Sequence, residues 1–121
     1  MICKIDIMAK PRMTRRDKWP PPRKCVAKYW KFKDELTACA EKEGFVLGDR
    51  IYMEFHLPMP KSWSKKKKAE MLGKPHQSRG DIDNLEKSVL DSLLPEDCAV
   101  WHIEAKKFWS EESTLILKNL C

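Results

Sequence analysis

The chain has 121 residues, of which 42% are apolar and 35% charged, and its 24 Lys and Arg outnumber 18 Asp and Glu. This composition excludes a disordered chain, and the length suits one domain with a single packed core. The net charge of +6 favours a polyanionic partner, with nucleic acid ahead of a membrane surface. The N-terminus lacks a signal-peptide layout, and no run approaches the ~18 apolar residues of a membrane span, so we expect a soluble cytoplasmic protein.

The first half of the chain is predicted to contain two strands and a long helix. Residues 2–8 alternate apolar and polar side chains, which is typical of a strand. After a basic, proline-rich segment, apolar residues recur at spacings of three and four from about residue 23 to 43, which predicts a helix. Gly44 is well placed to end it. Residues 50–57 alternate again and predict a second strand.

The second half begins with residues 58–80, a basic segment without sustained periodicity that is predicted to be a long loop. A second helix is predicted over residues 83–94, and two strands over 98–109 and 113–120. The order strand, helix, strand, helix, strand, strand predicts an α+β fold. We expect one domain over residues 1–121, with a mixed sheet packed against two helices.

The five cysteines are far apart and include no C-x-x-C pair; they are Cys3, Cys25, Cys39, Cys98 and Cys121. An odd number without metal-ligand spacing argues against a zinc site and against a disulfide framework. The pattern fits a reducing cytosol best.

Residues 79–91 read RGDIDNLEKSVLD and surround the predicted start of the second helix. Asp83, followed three residues later by Glu86, matches the spacing of a capping box in which the aspartate is the N-cap. Asp81 is placed to interact favourably with the helix dipole. A helix cap therefore accounts for part of this acidic cluster.

The charges continue along the helix, since Asp83, Lys87 and Asp91 lie within ~80° of one another around its axis. One interpretation is an ordinary charge pair on a solvated surface. The other is a metal site, because carboxylates in a basic protein repel DNA phosphates unless a cation bridges them, and Mg²⁺ binds carboxylates together with phosphate oxygens. A lysine nearby supplies positive charge for the scissile phosphate. Glu96 and Asp97 are either a further part of this site or a polar turn.

Several motifs resemble the RusA-like family of Holliday-junction resolvases, and KPRMTRRDKW near the N-terminus is similar to phage and prophage members. In chain order the motifs are PMPKSWSKKKK, GKPH, RGDIDNLEKSVLDSL, EDCAV and AKKFW, within residues 50–110. The resemblance implies a small α+β homodimer that cuts four-way DNA junctions symmetrically with Mg²⁺, for which Mn²⁺ is a substitute. It places the protein in DNA recombination and repair, near the nucleoid of a bacterial or phage-infected cell.

The resemblance also assigns roles to residues. Asp81 and Asp83 correspond to metal-binding carboxylates, and Lys87 to a lysine implicated in catalysis. Asp97 corresponds to a third carboxylate, although a one-residue shift would put Glu96 there instead. Asp91 matches an accessory acid on the helix.

Basic side chains are concentrated in residues 61–80 and are expected to contact the phosphate backbone of DNA rather than its bases. They are Lys61, Lys65, Lys66, Lys67, Lys68, Lys74 and Arg79. The alternative is a solvated basic loop. Arg15 and Arg16, with Arg12 and Lys18, are expected to form a second positive rim.

Aromatic and histidine residues leave alternatives open. Trp63 either packs as an anchor or stacks on an unpaired base. His76 either binds a metal or a phosphate, or does neither. Trp30, Trp101 and Trp109 are expected to pack in the core or in a dimer interface.

The sequence thus favours a Mg²⁺-dependent endonuclease that resolves four-way junctions, with water as the nucleophile. A C2 dimer would present two identical sites to the two equivalent strands of a junction. The alternatives are a catalytically inactive basic module that binds DNA junctions, and a nuclease that acts on other branched DNA.

Overall fold

The computed structural model describes residues 1–11, 24–78, 81–94 and 98–120. In these ranges it contains four strands and three helices, one helix more than predicted. The predicted α+β architecture with a mixed sheet is confirmed. The elements are β1 (Ile2–Cys3), α1 (Lys24–Glu43), β2 (Arg50–Pro58), α2 (Lys65–Met71), α3 (Ile82–Leu93), β3 (His102–Ser110) and β4 (Thr114–Asn119).

The four strands form one sheet in the order β1-β4-β2-β3. β2 runs parallel to β3 and antiparallel to β4, which in turn is antiparallel to β1. Parallel neighbours need a long connection, and the chain between β2 and β3 contains both α2 and α3. This crossover brings the start of α3 close to β3.

One face of the sheet is covered by α1 and α3. The alternation predicted for β2 places Ile51, Met53 and Phe55 on this face, where each is fully buried. The apolar side of α1, including Phe32 and Leu36, joins the same core cluster. The apolar side of α3 completes it, so α1 and α3 are positioned by burial against a common sheet face.

The first strand is much shorter than the predicted residues 2–8. Ile2 pairs with Ile116 and Cys3 with Leu115. Because the two strands are antiparallel and β4 begins at Thr114, few residues of β4 remain to pair with the chain after Cys3. The following residues continue without a strand, although Ile7 still donates a backbone hydrogen bond to Ser113 Oγ at 2.9 Å. The strand ends because its neighbour ends, which the alternation of residues 2–8 does not reveal.

The segment predicted as a loop over residues 58–80 contains the helix α2. Ser64 is its N-cap, and its side chain accepts a hydrogen bond from Lys67 N at 3.2 Å. Gly73, with φ at +79°, then turns the chain, which is a conformation that favours glycine. Segment 73–76 pairs with the outer edge of β3 through Gly73 N to Trp109 O and Trp109 N to Lys74 O, both at 2.9 Å. The prediction of a loop is therefore wrong for residues 65–71, which form α2.

A disulfide joins Cys3 of β1 to Cys39 of α1, with 6.5 Å between their Cα atoms. The expectation against disulfides is therefore wrong for this pair. The two cysteines are 36 residues apart in the chain, and they meet because β1 and α1 belong to the same core. Spacing along the sequence does not show such an approach.

Within the part of the chain that is described, no helix is both long and apolar enough to cross a membrane.

Candidate active site

An open cleft of about 630 Å³ lies between the beginning of α3 and β3. Three parts of the chain line it: residues 75–76 beside the sheet edge, residues 81–83 at the start of α3, and residues 105–108 of β3. The parallel crossover from β2 to β3 is what brings these parts together. The cleft combines carboxylates, a histidine and two lysines.

The predicted aspartates Asp81 and Asp83 both line this cleft and both are exposed. Asp81 is the N-cap residue of α3, but its side chain makes no capping hydrogen bond, and only its carbonyl accepts from Leu85 N at 3.1 Å. Asp83 lies in the first turn, where its Oδ1 accepts from Asn84 N at 2.9 Å. The prediction that Asp83 is the N-cap of a capping box is therefore wrong, because the helix begins one residue before it.

The shifted helix start leaves the Asp81 carboxylate available for a ligand. It lies at the positive end of the helix dipole, which favours a negative charge there. Glu86 lies half-buried one turn further along, and burial raises the pKa of its carboxyl, with the charge of Asp83 raising it further. The carboxylates of Asp81 and Asp83 at the start of α3 are the part of this turn that can attract a cation.

His76 is buried in the wall of the cleft that segment 73–76 forms. It is 8% exposed, its backbone N donates to Lys107 O at 3.0 Å, and its ring centroid is 4.0 Å from that of Trp109. Burial lowers the pKa of His76, and the charge of Lys107 lowers it further. Its Nδ1 has no hydrogen-bond partner among the described residues. The neutral form is therefore favoured, and the side chain forms part of the cleft wall.

Lys106 and Lys107 of β3 line the same cleft as the two aspartates. The sequence patterns do not single them out as site residues, although both lie in the AKKFW motif. The signal that could have identified them is the pair of adjacent lysines inside a strand, because one of two neighbouring strand residues must face the sheet's covered side.

Two predicted residues of α3 are not brought into the cleft. Lys87 is exposed and is not among the residues that line it. Asp91 is half-buried and accepts a hydrogen bond and ion pair from Lys10 Nζ at 2.6 Å. Burial raises the pKa of Tyr29, and the charge of Asp91 raises it further. Asp91 thus has structural partners away from the cleft.

The lysine-rich helix α2 is docked beside the cleft by aromatic contacts. The ring of Trp63 lies 4.7 Å from that of Trp109, and Lys67 Nζ lies over the Trp63 ring at 4.3 Å from its centroid. The packing interpretation of Trp63 is therefore confirmed. Trp109 is buried, as expected, whereas Trp30 and Trp101 are 45% and 68% exposed and do not belong to this chain's core.

Several predicted site residues lie outside the described residues: Arg12, Arg15, Arg16, Lys18, Arg79, Glu96 and Asp97. Within the described ranges no group of three or more His, Cys, Asp or Glu side chains could hold a metal ion. Asp81 and Asp83 remain as two carboxylates in one cleft. Mg²⁺ is commonly held in this way, by one or two carboxylates with water and phosphate oxygens, so the residues fit this ion.

A cleft that presents carboxylates and lysines together is typical of enzymes that hydrolyse phosphodiesters. The family model of endodeoxyribonuclease RusA matches residues 5–118, nearly the whole chain. The chain therefore belongs to the RusA family of endodeoxyribonucleases, which confirms the resemblance seen in its motifs. No match was found among curated proteins.

Proposed function

We propose that this protein is a Mg²⁺-dependent endonuclease that resolves four-way DNA junctions by paired hydrolysis of phosphodiester bonds, in DNA recombination and repair. The observation that carries the proposal is the presence of Asp81 and Asp83 in one open cleft with Lys106 and Lys107. Membership of an endodeoxyribonuclease family supports DNA as the substrate. In this proposal the aspartates act at the point where the DNA strand is cut, and the lysines bind its phosphate.

Asp81 and Asp83 would hold the ion, with Asp97, or Glu96 in its place, as a third carboxylate. Mn²⁺ could replace Mg²⁺, because both prefer oxygen ligands. A bound ion of this kind activates water and stabilises the charge that develops on the phosphate. The Asp81 side chain supports this role, since no capping hydrogen bond occupies it.

The reaction is the hydrolysis of one phosphodiester in each of two strands. The oxygen of water forms a bond to phosphorus, the bond from phosphorus to one sugar oxygen breaks, and that oxygen takes up a proton. The cleft lysines bind the negative phosphate group, and Lys87 adds positive charge along the approach to α3. The chain's own contribution is thus to orient the phosphate and to balance its charge.

The lysines outside the cleft would bind the flanking DNA backbone. Lys61, Lys74 and the run Lys65–Lys68 are on or next to α2, which Trp63 holds against β3. Contacts of this kind give affinity and salt dependence without base specificity. His76, Arg15, Arg16 and Arg79 are proposed to extend this surface.

We propose a homodimer, because a four-way junction has two equivalent strands and a C2 pair presents two equivalent clefts. We propose that it acts in the cytoplasm, where bacterial or phage DNA is located. No membrane partner is required.

Cleavage of a synthetic four-way junction in the presence of Mg²⁺ tests the proposal. We expect Asp83→Asn to lower the cleavage rate by at least about 100-fold, as removal of a group that stabilises the transition state does. Junction affinity should be retained or increased, since a negative charge near DNA has been removed. Asp34→Asn, at an exposed position of α1, is the matched control and should cut like the wild type.

Equal cleavage by the wild type and Asp83→Asn would contradict the site assignment. Binding that is salt-dependent but never followed by cleavage would favour an inactive junction-binding module. Flaps and three-way junctions should also be tested as substrates. If the protein cuts them faster than the four-way junction, the result would favour a nuclease for other branched DNA.

A further inference from the structure

The strand register places Lys107 on the covered face of the sheet. Lys107 pairs with Phe55 of β2, and partners in register share a face, so it lies on the same side as the buried Phe55. Within the four strands described, Lys107 is the only charged residue at such an inward position. The other inward residues are Cys3, Ile51, Met53, Phe55, Leu57, Ile103, Ala105, Trp109, Leu115, Leu117 and Asn119.

A charged group at an inward position of a sheet needs polar surroundings, because burial removes water from the charge. Lys107 is only half-buried, since the sheet face opens there into the cleft that Asp81 and Asp83 also line. Its Nζ lies 3.5 Å from the carbonyl oxygen of Ser78, which is three positions before Asp81 in the sequence. The ammonium therefore lies on the side of the strand that faces the carboxylates' cleft.

β3 is a rigid support for this side chain. It is paired with β2 over its whole length on one edge. On the other edge it is bonded to segment 73–76, where His76 N donates to Lys107 O at 3.0 Å. A charge fixed before the substrate arrives stabilises a transition state better than one that must be reoriented.

We propose that Lys107 is a catalytic residue whose ammonium contacts a non-bridging oxygen of the scissile phosphate. The inference rests on the proposed nuclease function and adds a residue to it. Lys87 lies on the exposed side of α3 and does not line the cleft. In this proposal Lys107 supplies the cation that meets the scissile phosphate, and Lys87 and the α2 lysines contact neighbouring phosphates of the DNA backbone.

His76 supports this assignment. It shares the cleft with Lys107, and the charge of Lys107 adds to burial in lowering the pKa of His76. The imidazole is therefore neutral beside the ammonium. The positive charge on this side of the cleft is carried by the lysines and not by His76. A neutral histidine can still donate or accept one hydrogen bond to the DNA.

The test compares Lys107→Met with Lys118→Met in single-turnover cleavage of a four-way junction. Lys118 is the matched control, because it lies on β4 of the same sheet, at an outward register position over the Tyr52 ring. We expect Lys107→Met to cut about 100-fold more slowly, while its junction affinity changes far less, since one of many phosphate contacts is lost. Lys118→Met should cut at the wild-type rate. Lys107→Arg should cut at least about tenfold faster than Lys107→Met, because it restores the charge.

The outcomes separate the inference from the function on which it rests. A wild type that cuts no junction overturns both. If Lys107→Met cuts at the wild-type rate while Asp83→Asn is inactive, the role of Lys107 is overturned and the proposed nuclease function stands. A loss of affinity as large as the loss of rate would show a binding role only, and would also overturn it.

A second measurement avoids any folding defect of Lys107→Met. Lysines of the Asp83→Asn protein are reductively methylated with and without bound junction, and the modified sites are located by mass spectrometry. We expect the junction to slow the methylation of Lys107 relative to its rate in the free protein, and to leave Lys118 unchanged. Equal methylation of Lys107 in the two states would exclude contact with the phosphate.

Discussion

The imidazole of His76 lies against the indole of Trp109, with 4.0 Å between the ring centroids. Trp109 contacts Trp63 in turn, so three rings connect segment 73–76, β3 and the start of α2. This contact holds the chain that follows α2 against the sheet edge, next to the two aspartates. The cleft therefore has a firm wall on the side away from α3, and changes in these rings should affect both stability and DNA binding.

The buried position of His76 predicts a pH dependence of stability. Burial, aided by Lys107, lowers the pKa of His76 below its ordinary 6.5 in the folded chain, whereas the unfolded chain takes up this proton at the ordinary value. Below that value the unfolded state binds more protons, so the free energy of unfolding falls as the pH drops from about 7 towards the lowered pKa. Urea unfolding at about pH 7.5 and 5.5 measures this change.

His76→Phe should reduce the loss of stability on acidification, because it keeps an aromatic ring against Trp109 and removes the proton-binding group. His102→Asn is the control and should retain the wild-type dependence, since His76 is unchanged. An identical pH dependence in the wild type and His76→Phe would show that another group is responsible.

The docking of α2 predicts the effect of removing Trp63. Trp63→Ala loses the ring contact with Trp109 and the contact with Lys67, and should lower the free energy of unfolding by about 2 kcal/mol. Junction affinity should fall as well, because the α2 lysines lose their fixed position. Urea unfolding and fluorescence anisotropy measure the two effects.

Trp101→Ala is the control for Trp63, since Trp101 is 68% exposed. It should change stability and affinity far less. A loss of affinity without any loss of stability in Trp63→Ala would instead favour stacking of Trp63 on a DNA base.

The ion pair of Lys10 with Asp91 predicts a structural role for this acid. Asp91→Asn should lower the free energy of unfolding by about 1 kcal/mol, because the 2.6 Å contact is half-buried rather than fully exposed. Junction cleavage should stay at the wild-type rate, since Asp91 does not line the cleft. Thermal unfolding and the cleavage assay measure both.

Glu112→Gln is the matched control, because Glu112 pairs with Lys4 at 3.8 Å and both side chains are more than 70% exposed. It should leave stability unchanged. A strong loss of cleavage in folded Asp91→Asn would restore Asp91 as an accessory acid of the site.

The disulfide of Cys3 with Cys39 predicts a stability that depends on redox conditions. The bridge closes a loop between residues 36 apart, and removing it by Cys39→Ser should lower the free energy of unfolding by about 4 kcal/mol. A thiol reductant should lower the melting temperature of the wild type and leave that of Cys39→Ser unchanged. Equal melting temperatures of the wild type with and without reductant would contradict the bridge.

Short-range patterns in the sequence were enough for the order of the four strands and the two longer helices, and for two of the residues that line the cleft. The spacing of three and four predicts α1 close to its observed bounds, and the alternation of residues 50–57 predicts β2. The D-x-D pair marks Asp81 and Asp83, and both line the cleft. Such patterns succeed because the periodicity of one element reflects which of its own faces is buried.

The helix α2 could not be predicted from local periodicity. Its seven residues carry four lysines and none of them is buried, so no apolar periodicity marks the helix. What holds α2 in place is the contact of Trp63, just before it, with Trp109, which is 46 positions later in the printed sequence. No pattern within the segment itself records that contact.

The sequence by itself determined the fold class, the family and the two aspartates, because each is encoded in local periodicity or in a contiguous motif. Tertiary structure decided which charged side chains lie in the same cleft as these two aspartates. The parallel pairing of β2 with β3 brings Lys107 and His76 to the start of α3, while Asp91 is paired with Lys10 and Lys87 is left outside the cleft. Strand register and helix packing are set by burial across the whole chain, so no short stretch of sequence could predict these neighbours.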